Sequence, residues 1–297
     1  MHLWDMDPVR RSWIEMHLAV LCFGFTAILG AWISLSALSL VWWRVLLTSV
    51  SLILLLRGFG SLRRMPIRLM LSYAGVGVLV ALHWVAFYGA IKLANVSITL
   101  VCMATTSLFT AFLEPLFTRQ RLRGVEVVLG LMMVPGMVLV VRHIEPGHWY
   151  GVLAGLAAAL LAAIFSILNK QLVSRASEME ITLLELGSAW IFLSVILGVM
   201  ALFGVTYDLE PAPSDWIWLI VLALVCTTLA YILALRALRH LSAFASNLTI
   251  NLEPVYGILL AILLLGEHHD LDLKFYLGVA MILGAVLAYP WMKRRWV

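Results

Sequence analysis

Residues 130–140 read GLMMVPGMVLV, and residues 278–288 read GVAMILGAVLA. The second run repeats the first at an offset of 148, with Gly130/Gly278, Met133/Met281, Gly136/Gly284, Val138/Val286 and Leu139/Leu287 coinciding. Working back towards the N-terminus of each run, residues 90–122 lie over residues 237–269 without a gap at an offset of 147. There the residue types agree more than the identities do, as in Lys92/Arg239, Thr99/Ser246 and Phe109/Tyr256. The chain is one unit written twice. Each unit holds five apolar runs of spanning length, at about residues 16–33, 38–56, 69–91, 95–117 and 123–141, then 149–170, 181–204, 215–236, 242–265 and 274–292. An odd number of crossings repeated once enters the membrane from opposite sides, so the halves are expected to have inverted topology. That construction belongs to secondary transporters, with the solute site near the bilayer midplane between the halves.

Composition agrees. Of 297 residues, 63% are hydrophobic and only 12% charged, and mean hydropathy is +1.03. Soluble domains are roughly half apolar and about a quarter charged, and a helix crossing about 30 Å of hydrocarbon needs about 20 apolar residues. Ten crossings leave short loops and no room for a soluble domain. Cys22, Cys102 and Cys226 all lie inside apolar runs, where they read as small buried residues and not as a disulfide framework. The first apolar run is long for a signal sequence and lacks a small-x-small cleavage site, so it reads as a retained first helix.

The basic residues set orientation. Arg10 and Arg11 precede segment 1; Arg57, Arg63, Arg64 and Arg68 follow segment 2; Arg119, Arg121 and Arg123 follow segment 4. Lys170 and Arg175 follow segment 6, Arg236 and Arg239 follow segment 8, and Lys293, Arg294 and Arg295 close the chain. Sixteen of the 20 Lys and Arg thus fall on one side, against Lys92, Arg142 and Lys274 on the other, with Arg44 inside segment 2. The positive-inside rule then puts both termini in the cytoplasm and requires an even helix count. The net charge of +4 reflects this asymmetry and not a nucleic-acid surface.

The run NLEPVYGILLAILLLGE at residues 251–267, the GAWIS and WWRVLL stretches around Arg44, and AIFSILNKQL around Asn169 resemble the EamA branch of the drug/metabolite transporter superfamily. The likeness runs from about residue 13 to 292. It implies an all-α integral membrane protein of ten transmembrane helices, arranged as two inverted five-helix EamA repeats over residues 13–142 and 147–292. It also implies a central cavity lined by segments 1, 3, 4, 6, 8 and 9, with segments 5 and 10 peripheral. The sequence departs from the family where a mid-segment proline is frequent, since Ser107 stands there, and at Arg119-Gln120, where Gly-Glu is frequent. The first repeat is the less typical half.

Glu253-Pro254 sits mid-segment 9. A carboxylate at the bilayer centre costs about 3 kcal/mol or more, so it should face the bundle interior or a wet cavity. Glu253 is a candidate for reversible protonation coupled to transport, or else a protonated carboxyl bonded to a neighbouring helix. Pro254 frees a backbone carbonyl and marks a hinge. His83, with Trp84, Phe87 and Tyr88, puts a titratable imidazole among aromatic rings, which suits an amphipathic organic solute and makes His83 a second proton-coupling candidate; aromatic packing around a satisfied histidine is the plainer alternative. No second His or Cys stands at metal-ligand spacing from His83, so neither a metal nor a cofactor is expected. Side chains concentrated, with those of His83 and its neighbours, in segments 3, 4, 8 and 9, together with Asn169 in segment 6, complete the cavity candidates: Thr99, Met103, Ser107, Asn169, Thr227, Tyr231, Asn247, Asn251 and Tyr256. Arg44 is expected to snorkel to the outer face, and Gly151, Gly155, Ala159 and Ala163 form a stripe for close helix packing.

These features point to a secondary transporter, with family precedent for export of amino acids and related metabolites by alternating access; the alternative is a non-coupled facilitator or channel. No phosphate-binding loop for ATP occurs. His268, His269, Asp270 and Asp272 read as a solvated turn, so an enzyme is not expected. The expected partners are a small-molecule substrate, the lipid bilayer and a proton as coupling ion, with no nucleic acid, in a monomer or homodimer of the bacterial inner membrane.

Overall fold

Helix starts in this chain are marked by side chains that accept the first free backbone amides. Asp7 accepts from the Arg10 amide at 3.1 Å with Pro8 at the first helical position, and opens α1 (Pro8–Trp32). Ser36 opens α2 (Ala37–Leu55). Ser177 and Glu180 form a reciprocal capping box at the start of α9 (Glu178–Leu202). In the computed structural model these helices belong to a bundle whose remaining elements are α3 (Gly60–Arg64), α4 (Ile67–Leu93), α5 (Val96–Ala104), α6 (Thr106–Thr118), α7 (Gly124–Val141), α8 (Trp149–Leu172), α10 (Asp215–Ala223), α11 (Ala230–Leu238), α12 (Ala243–Ile250) and α13 (Glu253–Leu260). π-helical turns at Leu224–Leu229 and Ala261–Leu265 join α10 to α11 and extend α13. The structure describes residues 7–56, 60–119, 124–141, 146–250 and 252–266, and parts of 273–288. Among them every long regular element is helical.

Among the described residues, seven helical stretches are long and apolar enough to cross a membrane: Pro8–Trp32, Ala37–Leu55, Ile67–Leu93, Val96–Thr118, Trp149–Leu172, Glu178–Leu202 and Asp215–Leu238. Side chains such as Leu54, Leu71, Ile191, Leu202 and Leu263 are exposed round the bundle, as expected of a surface that meets lipid. The protein is an integral membrane protein. The thin break between the first two segments is real, and its serines are all engaged. The Ser34 hydroxyl donates to Asp215 at 2.6 Å, Ser36 caps α2, and the Ser39 hydroxyl donates to the Asp208 carbonyl at 2.7 Å.

The packing pattern repeats with the halves exchanged. Helix α1 packs on α11, and its counterpart α8 packs on α4. Helix α1 also packs on α12 and α13, as α8 packs on α5 and α6. Helix α2 packs on α10, as α9 packs on α4. Each half therefore completes the other and shares its core. Small residues set the approach distances, because without a hydrophobic drive in lipid, association depends on close contact. A β-carbon on Gly77 of α4 would collide with the Glu185 carbonyl of α9. One on Gly151 would meet Ala94, and one on Gly155 would meet the Cys102 side chain. The small-residue stripe on α8 is thus a seam against α4 and α5.

Two helical segments are broken, at matching positions. In the first half the chain departs from the α pattern at Thr105, whose amide donates to the Cys102 carbonyl at 3.0 Å. In the second it departs at Leu252, whose amide donates to the Thr249 carbonyl at 3.0 Å. Leu252 and Thr249 lie 147 residues after Thr105 and Cys102, the repeat offset. Only the second half has a proline at the break. In the first, hydroxyls do the same work: Thr105 and Thr106 donate to carbonyls three residues back at 2.7 Å each, and Ser107 does so at 3.4 Å. Such back-bonding competes with the regular helix ladder and bends it. The less typical half is atypical in sequence while keeping the break.

Candidate functional site

The broken segments meet at the centre of the bundle. The Asn247 side chain donates to the Thr110 hydroxyl at 2.8 Å, and the Phe244 amide donates to the Glu114 carboxylate at 3.0 Å. Around this junction lies a cavity of about 110 Å³. Helix α1 contributes Met16, Phe23 and Thr26; α2 contributes Arg44; α4 contributes His83, Trp84 and Phe87; α5 and α6 contribute Met103 and Thr106. Helix α8 adds Phe165, Ser166 and Asn169, α11 adds Tyr231 and Leu235, and α12 and α13 add Asn247, Ile250 and Glu253. The expected lining segments are all present, and segment 2 joins them through Arg44. Several lining residues are repeat mates at the offset of 147: Trp84 with Tyr231, Phe87 with Ala234, Met103 with Ile250, and Thr106 with Glu253. The cavity is built twofold. Its chemistry is not, because Thr106 occupies in the first half the repeat position that Glu253 holds in the second.

Arg44 is the largest correction to the sequence reading. It is 2% exposed and does not snorkel. Its Nε donates to the Thr227 hydroxyl at 2.7 Å, Nη1 to the Tyr88 hydroxyl at 2.8 Å, and Nη2 to the Cys226 carbonyl at 3.4 Å. Its guanidinium carbon stands 3.8 Å from the centroid of the Trp84 ring, a stacked cation–π contact. The carbonyl and hydroxyl are presented by the π-helical turn. There Thr227 and Thr228 donate to carbonyls five residues back, at 2.6 and 2.9 Å. A widened turn leaves carbonyls outside the regular ladder, and such turns recur at functional sites. Arg44 is the only cation among the described lining residues, and Glu253, 6% exposed, is the only carboxylate.

His83 is held by its Nδ1, which lies 2.8 Å from the Ala158 carbonyl and so carries the hydrogen; Nε2 is left as an acceptor. Phe87 and Phe165 flank the ring at 6.2 and 5.3 Å. Trp84 meets Tyr231 edge-on at 6.3 Å. His83, Trp84, Phe87, Met103, Asn169, Tyr231, Asn247 and Glu253 all face one space.

Five other cavity candidates do not. The Tyr88 hydroxyl is engaged by Arg44, and so is Thr227, which also bonds the Leu222 carbonyl. The Thr99 hydroxyl returns to the Asn95 carbonyl at 2.8 Å, and Ser107 to that of Ala104. Tyr256 is 38% exposed on the face of α13 that leaves the cavity. Asn251 lies outside the described residues, and Pro254 falls inside α13, one residue past its start. Lys170 lines nothing; it donates to the Leu238 and Arg239 carbonyls at 2.8 and 3.2 Å, a cation at the C-terminus of α11. Among the described residues no cluster of side chains suits a metal ion.

Glu185, which the sequence places near the inner face in segment 7 and does not pair with Arg44, was not among the expected site residues. It is 0% exposed in the middle of the bundle. Its Oε2 accepts from the Tyr231 hydroxyl at 2.5 Å and from the Asn169 amide nitrogen at 3.3 Å. Both partners also line the cavity.

Comparisons with known proteins agree on the architecture. A family model described as the EamA-like transporter family matches residues 13–142 and again residues 149–289. A crystal structure of another protein superposes with a TM-score of 0.72 over 96% of this chain and 98% of that one, at 17% identity, which is a likeness of fold alone. No curated protein matches the chain significantly in sequence.

Proposed function

The chain belongs to the EamA-like transporter family, and from that premise we propose a secondary active transporter that exports a small amphipathic organic solute, an amino acid or a related metabolite, by alternating access. The observation that carries this reading is the central cavity. It combines one carboxylate, one fixed guanidinium and aromatic faces, drawn from both halves at matching positions. Few convergent polar groups in an apolar lining are what a small-molecule site requires. Glu253 meets the cationic end of the solute. The Trp84 and Phe87 rings hold its apolar body. Arg44, held by Thr227, Tyr88 and the Cys226 carbonyl, contributes a fixed positive charge and keeps Trp84 in place. Glu253 and His83 are the proton-coupling groups of this reading.

Ten crossings in two inverted five-helix repeats, over residues 13–142 and 147–292, belong to the same proposal. So do cytoplasmic termini, a bacterial inner membrane, a monomer or homodimer, and a mechanism without enzymatic chemistry. The breaks at Thr105 and Leu252 give each half a hinge beside the cavity, so the halves rock about it. The opposite-face end of the bundle, near residues 33–36 and 203–214, is stitched shut: the Lys92 ammonium donates to the Ile33 carbonyl at 2.6 Å and the Trp43 indole to the Leu209 carbonyl at 2.6 Å. The cavity instead reaches towards Met16 and Leu238, at the basic end.

The test is a thermal-shift screen of purified protein against amino acids, nucleosides and sugars, followed by flux in liposomes under an imposed pH gradient. Amino acids with apolar or aromatic side chains are expected to raise the melting temperature and to show saturable, gradient-driven flux. Indifference to every amino acid would overturn the substrate class. Orientation has its own check. Cysteines at Ser61 and Asp208, both exposed, are expected to react with an impermeant thiol reagent from opposite faces. Labelling from one face breaks the topology.

A further inference from the structure

Two buried acceptor atoms behind the cavity wall have no hydrogen-bond donor: Glu185 Oε1 and Asn169 Oδ1. They belong to side chains already joined, since Asn169 Nδ2 donates to Glu185 Oε2 at 3.3 Å. Both residues are buried, at 0% and 2% exposure. A buried polar atom without a partner costs about 1–3 kcal/mol, so two acceptors on a joined pair require one cause.

We propose that Glu185 and Asn169 form a proton-binding acid–amide pair, a second protonation site that couples to the cavity through Asn169 and Tyr231. A proton on Oε1 makes that oxygen a donor, and Asn169 Oδ1 is the acceptor left for it. The amide and the acid then close a ring of two hydrogen bonds, Nδ2–H to Oε2 and Oε1–H to Oδ1. One proton satisfies both atoms. Its loss leaves a carboxylate oxygen and an amide oxygen with facing lone pairs, so the ring opens and Asn169 is released. No bond other than O–H is made or broken, and the proton comes from and returns to solvent by way of the cavity. A sodium ion fits the site less well, because the Tyr231 hydroxyl and the Asn169 amide already aim two donors at Glu185.

The groups around Glu185 are accounted for on each element packed against α9. Helix α11 presents Tyr231, which donates to it. Helix α4 presents Tyr73, whose hydroxyl donates to the Leu172 carbonyl at 3.1 Å and whose electrostatic partners include Glu185. Helix α2 carries Arg44, engaged by Thr227 and Tyr88. Lys170, next in sequence to Asn169, is engaged by the Leu238 and Arg239 carbonyls. No described cation bonds to Glu185, so a proton is the natural neutraliser. Asn169 and Tyr231 both line the cavity, so opening the ring changes the wall that the solute meets. Glu253 is on α13 at the cavity surface and is a separate group.

The coupling role rests on the transport reading; the proton site does not, and the experiment separates them. Infrared spectra of purified, reconstituted protein at neutral pH are expected to show the C=O stretch of a protonated, hydrogen-bonded carboxyl. That band should disappear in Glu185→Gln and persist in Glu253→Gln. Glutamine can form the same two bonds to Asn169, so Glu185→Gln should fold and still exchange solute across liposomes. The accumulation ratio that a pH gradient drives should fall in Glu185→Gln by about tenfold per unit of pH difference, the share of one proton per solute, leaving what Glu253 and His83 couple. A band unaltered by Glu185→Gln overturns the site. A lost band with accumulation intact overturns the coupling. A band present in a protein that moves no solute leaves the site standing and removes the transport reading. Should Glu185→Gln be unstable, Tyr231→Phe deletes one donor to the carboxyl and should shift the same band; an unshifted band overturns the assignment.

Discussion

Arg44→Ala is expected to lower folding stability by about 3–5 kcal/mol, the cost of breaking a buried charge network by removing one member. The change strands the Tyr88 hydroxyl and the Cys226 carbonyl, takes the stacked cation from Trp84, and leaves Glu253 as the sole charge among the described cavity residues. Each loss occurs where water cannot compensate. The measurement is the melting temperature of the purified protein in detergent, together with solute binding. Arg44→Lys separates charge from shape. An ammonium keeps the positive charge but cannot reach three partners in one plane or stack on Trp84, so it should recover only part of the loss. A melting temperature unchanged in Arg44→Ala would show that the network is not holding α2, α4 and the π-helical turn together.

Glu253→Gln is expected to weaken solute binding about 10- to 100-fold, the worth of a hydrogen bond to a charged group in a dry site. The substitution keeps shape and removes charge, so the protein should fold at least as well. The readout is the concentration dependence of thermal shift and of flux, with pH dependence measured alongside. If both curves match the wild type, Glu253 is a structural carboxyl and the solute's cationic end is bound elsewhere. The two variants differ in kind: Arg44→Ala lowers stability first and binding as a consequence, whereas Glu253→Gln lowers binding in a stable protein.

The mid-membrane carboxyl and the aromatic patch were legible because burial of a charge or an imidazole in an apolar run is itself anomalous. Glu253, His83, Trp84 and Phe87 meet at one cavity for that reason. Thr99 and Ser107 were drawn in by the same polarity and fall outside, because a hydroxyl in a helix can satisfy itself on its own backbone. Polarity in a spanning helix is thus a stronger signal for groups that need a partner across helices than for those that do not. Glu185 needed such a partner, yet its place near the start of a segment suggested an interface. Its partners Tyr231 and Asn169 lie 46 and 16 residues away, at distances no local pattern reports.

Period, offset and charge asymmetry are properties of the linear chain. By themselves they determined an all-helical membrane protein with two related halves, since hydrocarbon forces each spanning segment to bond internally and so to declare its length in sequence. The matching breaks at Thr105 and Leu252, the π-helical turn that engages Arg44, and the Glu185–Asn169 pair were decided only by tertiary structure. The last two are contacts between helices, in which a side chain without a partner on its own helix finds one on another, and Gly77 lets α4 approach α9 beside Glu185; the breaks are bonds within one segment that a linear pattern of hydropathy does not register.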